Sequence, residues 1–99
     1  MKAAFMFIAP KTDSQHHKAT IITPVAELTV IGVQNYMEAE TIAKKLVEQG
    51  VEVIELCAGF GNEGTAAVNH AINGQIPVGV VRFDNHPGFG FKSGDTLFQ

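Results

Sequence analysis

Four side chains stand out as candidates to move protons or attack electrophiles, and they fall in two short stretches. Asp84 and His86 lie two apart in Asp84-Asn85-His86-Pro87-Gly88, and Glu55 and Cys57 lie two apart in Val51–Cys57. An imidazole oriented by a carboxylate suits general acid or base work, or metal ligation together with that carboxylate. The same five residues also make a plain turn, because Asp-Asn and Pro-Gly both favour tight chain reversal. A Cys57 thiolate would act as nucleophile or base if a nearby positive charge lowered its pKa; without one, Cys57 is a small buried apolar residue. Glu55 is the odd residue of its stretch, since alternation puts it on the face of Val51, Val53 and Cys57, which should be covered. Arg82 is the charge that answers it. A buried Glu55–Arg82 pair, a ligand-binding or catalytic role for either, and exposure to solvent are all compatible with the pattern.

Gly59-Phe60-Gly61-Asn62-Glu63-Gly64 has the spacing G-x-G-x-x-G and lies between a predicted strand and a predicted helix, with Asp84 twenty residues further on. Glycines there let backbone approach an anion, and a helix N-terminus offers free N–H groups and a partial positive charge. The motif falls in the last crossover of a short chain, which leaves no second half for the other nucleotide, and Glu63 would repel a phosphate. No dinucleotide cofactor is therefore expected. Two readings stand level: a smaller anion held by Gly59, Phe60, Gly61, Asn62 and Gly64 with Arg82 behind them, or glycines that only make a tight strand-to-helix turn. His16, His17 and His70 show no ligand spacing, so no metal site is expected.

These residues need elements to hold them. Ala3–Ala9 is apolar at every position, the pattern of a strand covered on both sides. Pro10 ends it, and Lys11–Lys18 reads as an exposed loop. Thr20–Thr23 and Glu27–Val33 are rich in β-branched residues and predict a short edge strand and an inner strand. Asn35 with Glu38 three residues on is a helix start; Ala39, Ile42, Ala43, Leu46 and Val47 form its apolar stripe, and Gly50 its stop. Val51–Cys57 predicts a strand, Asn62–Asn73 a second helix with small inward residues and Gly74 as its stop, and Pro77–Phe83 the last strand. The expected fold is α/β: a small, mixed, mostly parallel sheet in the order β-β-β-α-β-α-β. Its C-terminal β-α-β-α-β run should give three parallel strands, with helices packed on the sheet. Carboxyl ends of parallel strands bind ligands, so Gly32–Asn35, Cys57–Asn62 and Asp84–Gly90 should form one functional rim.

Ninety-nine residues make one domain, 1–99. Its tail, 88–99, carries Phe89, Phe91, Leu97 and Phe98 and should pack on the domain or on a neighbouring subunit. Hydrophobic residues make up 45% of so small a chain, which points to a homo-oligomer. A net charge of −3 with scattered Lys and Arg gives no field for nucleic acid. The run Ala3–Pro10 is too short to cross a membrane, and the N-terminus has no signal-peptide cleavage site, so a soluble cytoplasmic protein is expected. A single cysteine excludes an internal disulfide.

Ile54–Gly61 (IELCAGFG), Pro77–Gly88 (PVGVVRFDNHPG), Ser93-Gly94-Asp95 and the strand Leu28–Val33 resemble a family of small bacterial proteins known only as a domain of unknown function. Ala58 stands where that family commonly has a second glycine. The resemblance spans nearly the whole chain and implies a compact α/β protein, with no activity to carry over. Three functions fit the residues. One is binding of a small anionic metabolite at the rim of Gly59–Gly64 and Asp84–Gly88. Another is an isomerase, lyase or hydrolase using His86 with Asp84 or Glu55, and Cys57. The third is a non-catalytic assembly module whose interface is the helix Asn62–Asn73 and the Phe-rich tail.

Overall fold

A computed structural model describes all 99 residues. Five strands, β1 (Lys2–Ile8), β2 (Lys18–Ile22), β3 (Glu27–Val33), β4 (Val53–Leu56) and β5 (Val78–Val80), form one sheet in the order β2-β3-β1-β4-β5. β1 runs parallel to β3 and β4, β4 parallel to β5, and only the edge strand β2 is antiparallel. Two helices, α1 (Tyr36–Glu48) and α2 (Asn62–Ala71), join β3 to β4 and β4 to β5. The mixed, mostly parallel α/β sheet that the hydrophobic patterning predicts is the one observed. Individual elements are shorter: the last strand stops at Val80, not Phe83, and α2 at Ala71, not Asn73.

Strand order decides which side of the sheet is covered. β3→α1→β4 and β4→α2→β5 both step across the sheet in the same direction, and right-handed crossovers in one direction put their helices on one face. The step in the other direction, β1 to β3, would cover the opposite face if it passed through a helix. It passes instead through the loop after β1 and the in-sheet strand β2. The two helices therefore lie side by side, and their face holds Ala4, Met6, Ile8, Ile31, Val33, Ile54 and Leu56, all buried. On the reverse face Ala3, Phe5, Phe7, Leu28, Val30 and Val53 are only partly buried, and Glu55 is exposed. The expectation that β1 is covered on both sides is thus corrected. Its apolar pattern is two-sided, but its cover is not.

α1 starts as its sequence asks. Asn35 accepts a hydrogen bond from Glu38 N at 2.8 Å, while the Glu38 carboxylate reaches back to Gln34 N at 2.8 Å. A helix's first N–H groups lack intrahelical partners, and this exchange supplies some of them. Ala39, Ile42, Ala43 and Leu46 enter the core, and Gly50 at φ +90° closes the helix in the left-handed region.

The tail is tied to the helical side of the molecule by a run of rings. Phe83 meets His86 edge-on, His86 stacks on Phe89 at 4.0 Å, Phe89 meets Phe98, Phe98 tilts against Tyr36, and Tyr36 stacks on Phe60. Phe98 is 3% exposed and belongs to the main core. Aromatic pairs at such spacings add to simple area burial. That is why a segment rich in glycine and polar residues is ordered against the domain.

Candidate functional site

The glycine-rich turn after β4 is shaped by the chain's own residues. A side chain at Gly59 would run into Ile8, at Gly61 into Asp95, and at Gly64 into the ring of Tyr36. All three glycines are thus required by close approach within the fold. At the start of α2, Asp95 provides what an external anion would otherwise provide. Its Oδ2 accepts from Glu63 N at 3.1 Å, and its Oδ1 accepts from Gly64 N at 3.3 Å and from the Tyr36 hydroxyl at 2.7 Å. The Tyr36 oxygen in turn accepts from Gly61 N at 3.1 Å. Gly61, the cap residue, has no side chain, so a carboxylate from the tail performs the capping.

Burial pushes the Tyr36 phenol well above its ordinary pKa. The hydrogen bond from Gly61 opposes that shift, while the bond to Asp95 and the nearby charges of Asp95 and Glu63 reinforce it. Tyr36 is therefore a fixed donor to a carboxylate, suited to holding structure and unsuited to releasing a proton near neutral pH.

Beside this plug lies a cleft of about 110 Å³ lined by Phe60, Gly61, Asn62, Thr65, Val80, Arg82, Phe83, Asp84 and Ser93. The first turn of α2 forms one wall, the stretch that leaves β5 forms another, and the tail closes it. Arg82 is held from two sides: its Nε donates to Asp84 Oδ1 at 2.7 Å and its Nη1 to Asn62 Oδ1 at 3.1 Å. A guanidinium carries five N–H donors. Those on Nη2 and the second on Nη1 have no partner within the chain. Ser93 Oγ accepts from Asp95 N, which leaves its hydroxyl hydrogen to donate elsewhere. The Thr65 hydroxyl is engaged with the carbonyl of Gly61.

The residues singled out by sequence divide between this cleft and other places. Phe60, Gly61, Asn62, Arg82 and Asp84 come together at it. Glu55 does not: it stands exposed on the bare face of the sheet between Phe5 and Gly79. Of the three readings of Glu55 and Arg82, the buried pair is not formed: Arg82 lies beyond the end of β5, where strand alternation no longer sets direction, and its carboxylate partner is Asp84. Cys57, just past the end of β4, is partly buried against the core, and its Sγ accepts only from Gly59 N, at 3.3 Å. His86 is a member of the ring run, with Nδ1 accepting from Gly88 N at 2.9 Å. Among Glu55, Cys57, Asp84 and His86 no two are hydrogen-bonded to each other.

Sequence reasoning missed Tyr36, Asp95 and Ser93. Tyr36 is the chain's one tyrosine and directly follows the Asn35 cap, and Ser93-Gly94-Asp95 is a compact polar motif in an aromatic tail. Those were the available signals. Gly94 is needed because any side chain there would meet the carbonyl oxygen of Gly59.

A model described as "Family of unknown function (DUF6506)" matches residues 1–96. No curated protein and no solved structure matches the chain.

Proposed function

The chain belongs to the DUF6506 family, and we propose that it binds a small anionic molecule in the cleft beside α2, with Arg82 as the anchoring cation. The supporting observation is the posture of Arg82, pinned through Nε and Nη1 by Asp84 and Asn62 while its outer N–H groups stay free. A guanidinium with free outer N–H groups fits carboxylate or phosphate with two parallel hydrogen bonds. The cleft, about 110 Å³, is small, which favours a compact acidic head group. Phe83, about half exposed, and Val80 offer an apolar wall to the body of the ligand. The helix N-terminus plays no direct part, since Asp95 already fills it.

The test is calorimetric titration of the full chain with inorganic phosphate, acetate, succinate and benzoate. The reading expects heat of binding from at least one of them, lost in Arg82→Gln. It fails if none binds at millimolar concentration, or if Arg82→Gln binds the same probe as tightly as the parent.

A further inference from the structure

Two charged residues line the cleft beside α2, the cation Arg82 and the anion Asp84, and no other lining residue carries a charge. Asp84 uses one of its two oxygens: Oδ1 accepts from Arg82 Nε, and Oδ2 accepts from no group of the chain. An ionised carboxylate only accepts hydrogen bonds, through either oxygen. A free acceptor therefore stands beside the free donors of Arg82. Ser93 adds to those donors, because its Oγ accepts from Asp95 N and keeps its hydrogen to give. Asn62 does too, since Arg82 takes its Oδ1 and leaves its amide N–H groups unused. We propose that the ligand of this cleft is an α-amino acid with an apolar side chain, its carboxylate on Arg82 and its ammonium on Asp84 Oδ2. The inference rests on the anion-binding reading of the cleft and names the class of molecule within it.

Electrostatics separate this class from simpler anions. An anion on the outer N–H groups of Arg82 shares that guanidinium with Asp84, so two negative charges surround one positive charge. Like charges at such short range oppose each other. Asp95 adds to the opposition from behind the wall, where its carboxylate lies on the N–H groups of Glu63 and Gly64. Inorganic phosphate, with the highest charge for its size, meets this most strongly. An α-amino acid escapes it. Its ammonium and carboxylate share a carbon, so the group that faces Asp84 turns repulsion into attraction, and the charges of ligand and lining match one to one.

The rest of the cleft suits such a molecule. Its volume of about 110 Å³ admits the charged head. Val80 and Phe83, 40% and 49% exposed, lie in the same lining and offer apolar surface to an aliphatic side chain. Arg82 and Asp84 are themselves open to water, so solvent weakens the added pair, and the ammonium should improve affinity only about threefold.

Titration of the full chain with L-valine, isovalerate and isobutylamine, followed by amide resonances, tests this. Isovalerate lacks the amine of valine, and isobutylamine lacks its carboxylate. L-valine should shift the resonances of Gly61, Asn62 and Ser93 with an affinity about threefold that of isovalerate or higher, and isobutylamine should bind more weakly than either. Asp84→Asn keeps an oxygen for Arg82 Nε and removes the charge. It should abolish the preference for L-valine while both carboxylates still bind. Isovalerate binding as tightly as L-valine, or a preference that survives Asp84→Asn, overturns the amino-acid inference and leaves the anion-binding reading standing. Isobutylamine binding as tightly as L-valine also overturns it, because Arg82 is then no anchor. If neither carboxylate binds, this inference falls, and the phosphate and benzoate titrations decide the anion-binding reading separately.

Discussion

The Tyr36 hydroxyl and the Asp95 carboxylate meet at 2.7 Å although 59 positions separate them in sequence. Through this bond the first residue of α1, the first turn of α2 and the tail become one unit. Tyr36→Phe removes the donor to Asp95 and leaves Gly61 N without its acceptor, so a loss of about 1–3 kcal/mol is expected. Asp95→Ala strips the cap from α2 and should cost about 0.5–2 kcal/mol. Because both act on one bond, the double variant should lose less than the sum of the two. Urea unfolding midpoints of the three variants measure this, and strict additivity would contradict it.

The same phenol gives a signature at high pH. Its pKa in the folded chain is raised above the ordinary 10.0, so the folded state holds the proton longer than the unfolded state does. Its contribution to stability is whole below about pH 10 and falls as pH rises toward the folded value. Tyr36 is the one tyrosine and there is no tryptophan, so near-ultraviolet absorbance reports phenolate without overlap. Ionisation should coincide with cooperative loss of structure; a smooth titration near pH 10 in the folded protein would refute the burial argument.

Two glycines should respond in opposite ways to the same change. Gly94→Ala drives a methyl group into the Gly59 carbonyl, a backbone atom that cannot swing aside, and should destabilise by at least about 1–3 kcal/mol. Gly79, in β5, has nothing near its missing side chain, and Gly79→Ala should gain about 0.5–1 kcal/mol from reduced chain entropy. Thermal melting of the two variants reads the contrast.

Arg82→Gln should leave folding almost unchanged. The Arg82 and Asp84 side chains are 63% and 72% exposed, and pairs of that kind contribute about 0–1 kcal/mol. An unfolding midpoint close to that of the parent would confirm that any effect on ligand binding belongs to the cleft. A large loss of stability would instead make Arg82 a structural residue.

Local signals made most of the fold legible. A two-sided apolar run marked β1, β-branched runs marked β2 and β3, Asn35 and Glu38 marked the start of α1, and Gly50 marked its end. The bare face was not legible, because it depends on β1 lying between β3 and β4, a long-range pairing that the Ala3–Ala9 pattern does not encode. The apolar outward residues of β1 look the same whether a helix or nothing covers them. At the site, the convergence of Asn62, Arg82 and Asp84 followed from topology, since all three sit at carboxyl ends of parallel strands or just beyond. The roles of Glu55 and His86 were left open by the sequence for a common reason. Strand alternation and turn chemistry fix local geometry, and they carry no information about which partner the rest of the chain delivers.

The cap of α2 also imposes an order in time. Asp95 is made more than thirty residues after Gly61, and joining them closes a long loop whose entropy is recovered only once both ends are in place. The sheet and α1 can assemble from contacts already available, with the latch closing afterwards. A bond formed after the rate-limiting step does not slow folding when it is removed; it speeds escape from the native state. In denaturant-jump kinetics, Asp95→Ala should therefore raise the unfolding rate and leave the refolding rate nearly untouched. The last residues of the chain would then govern how long the native state persists, and have little part in how quickly it forms.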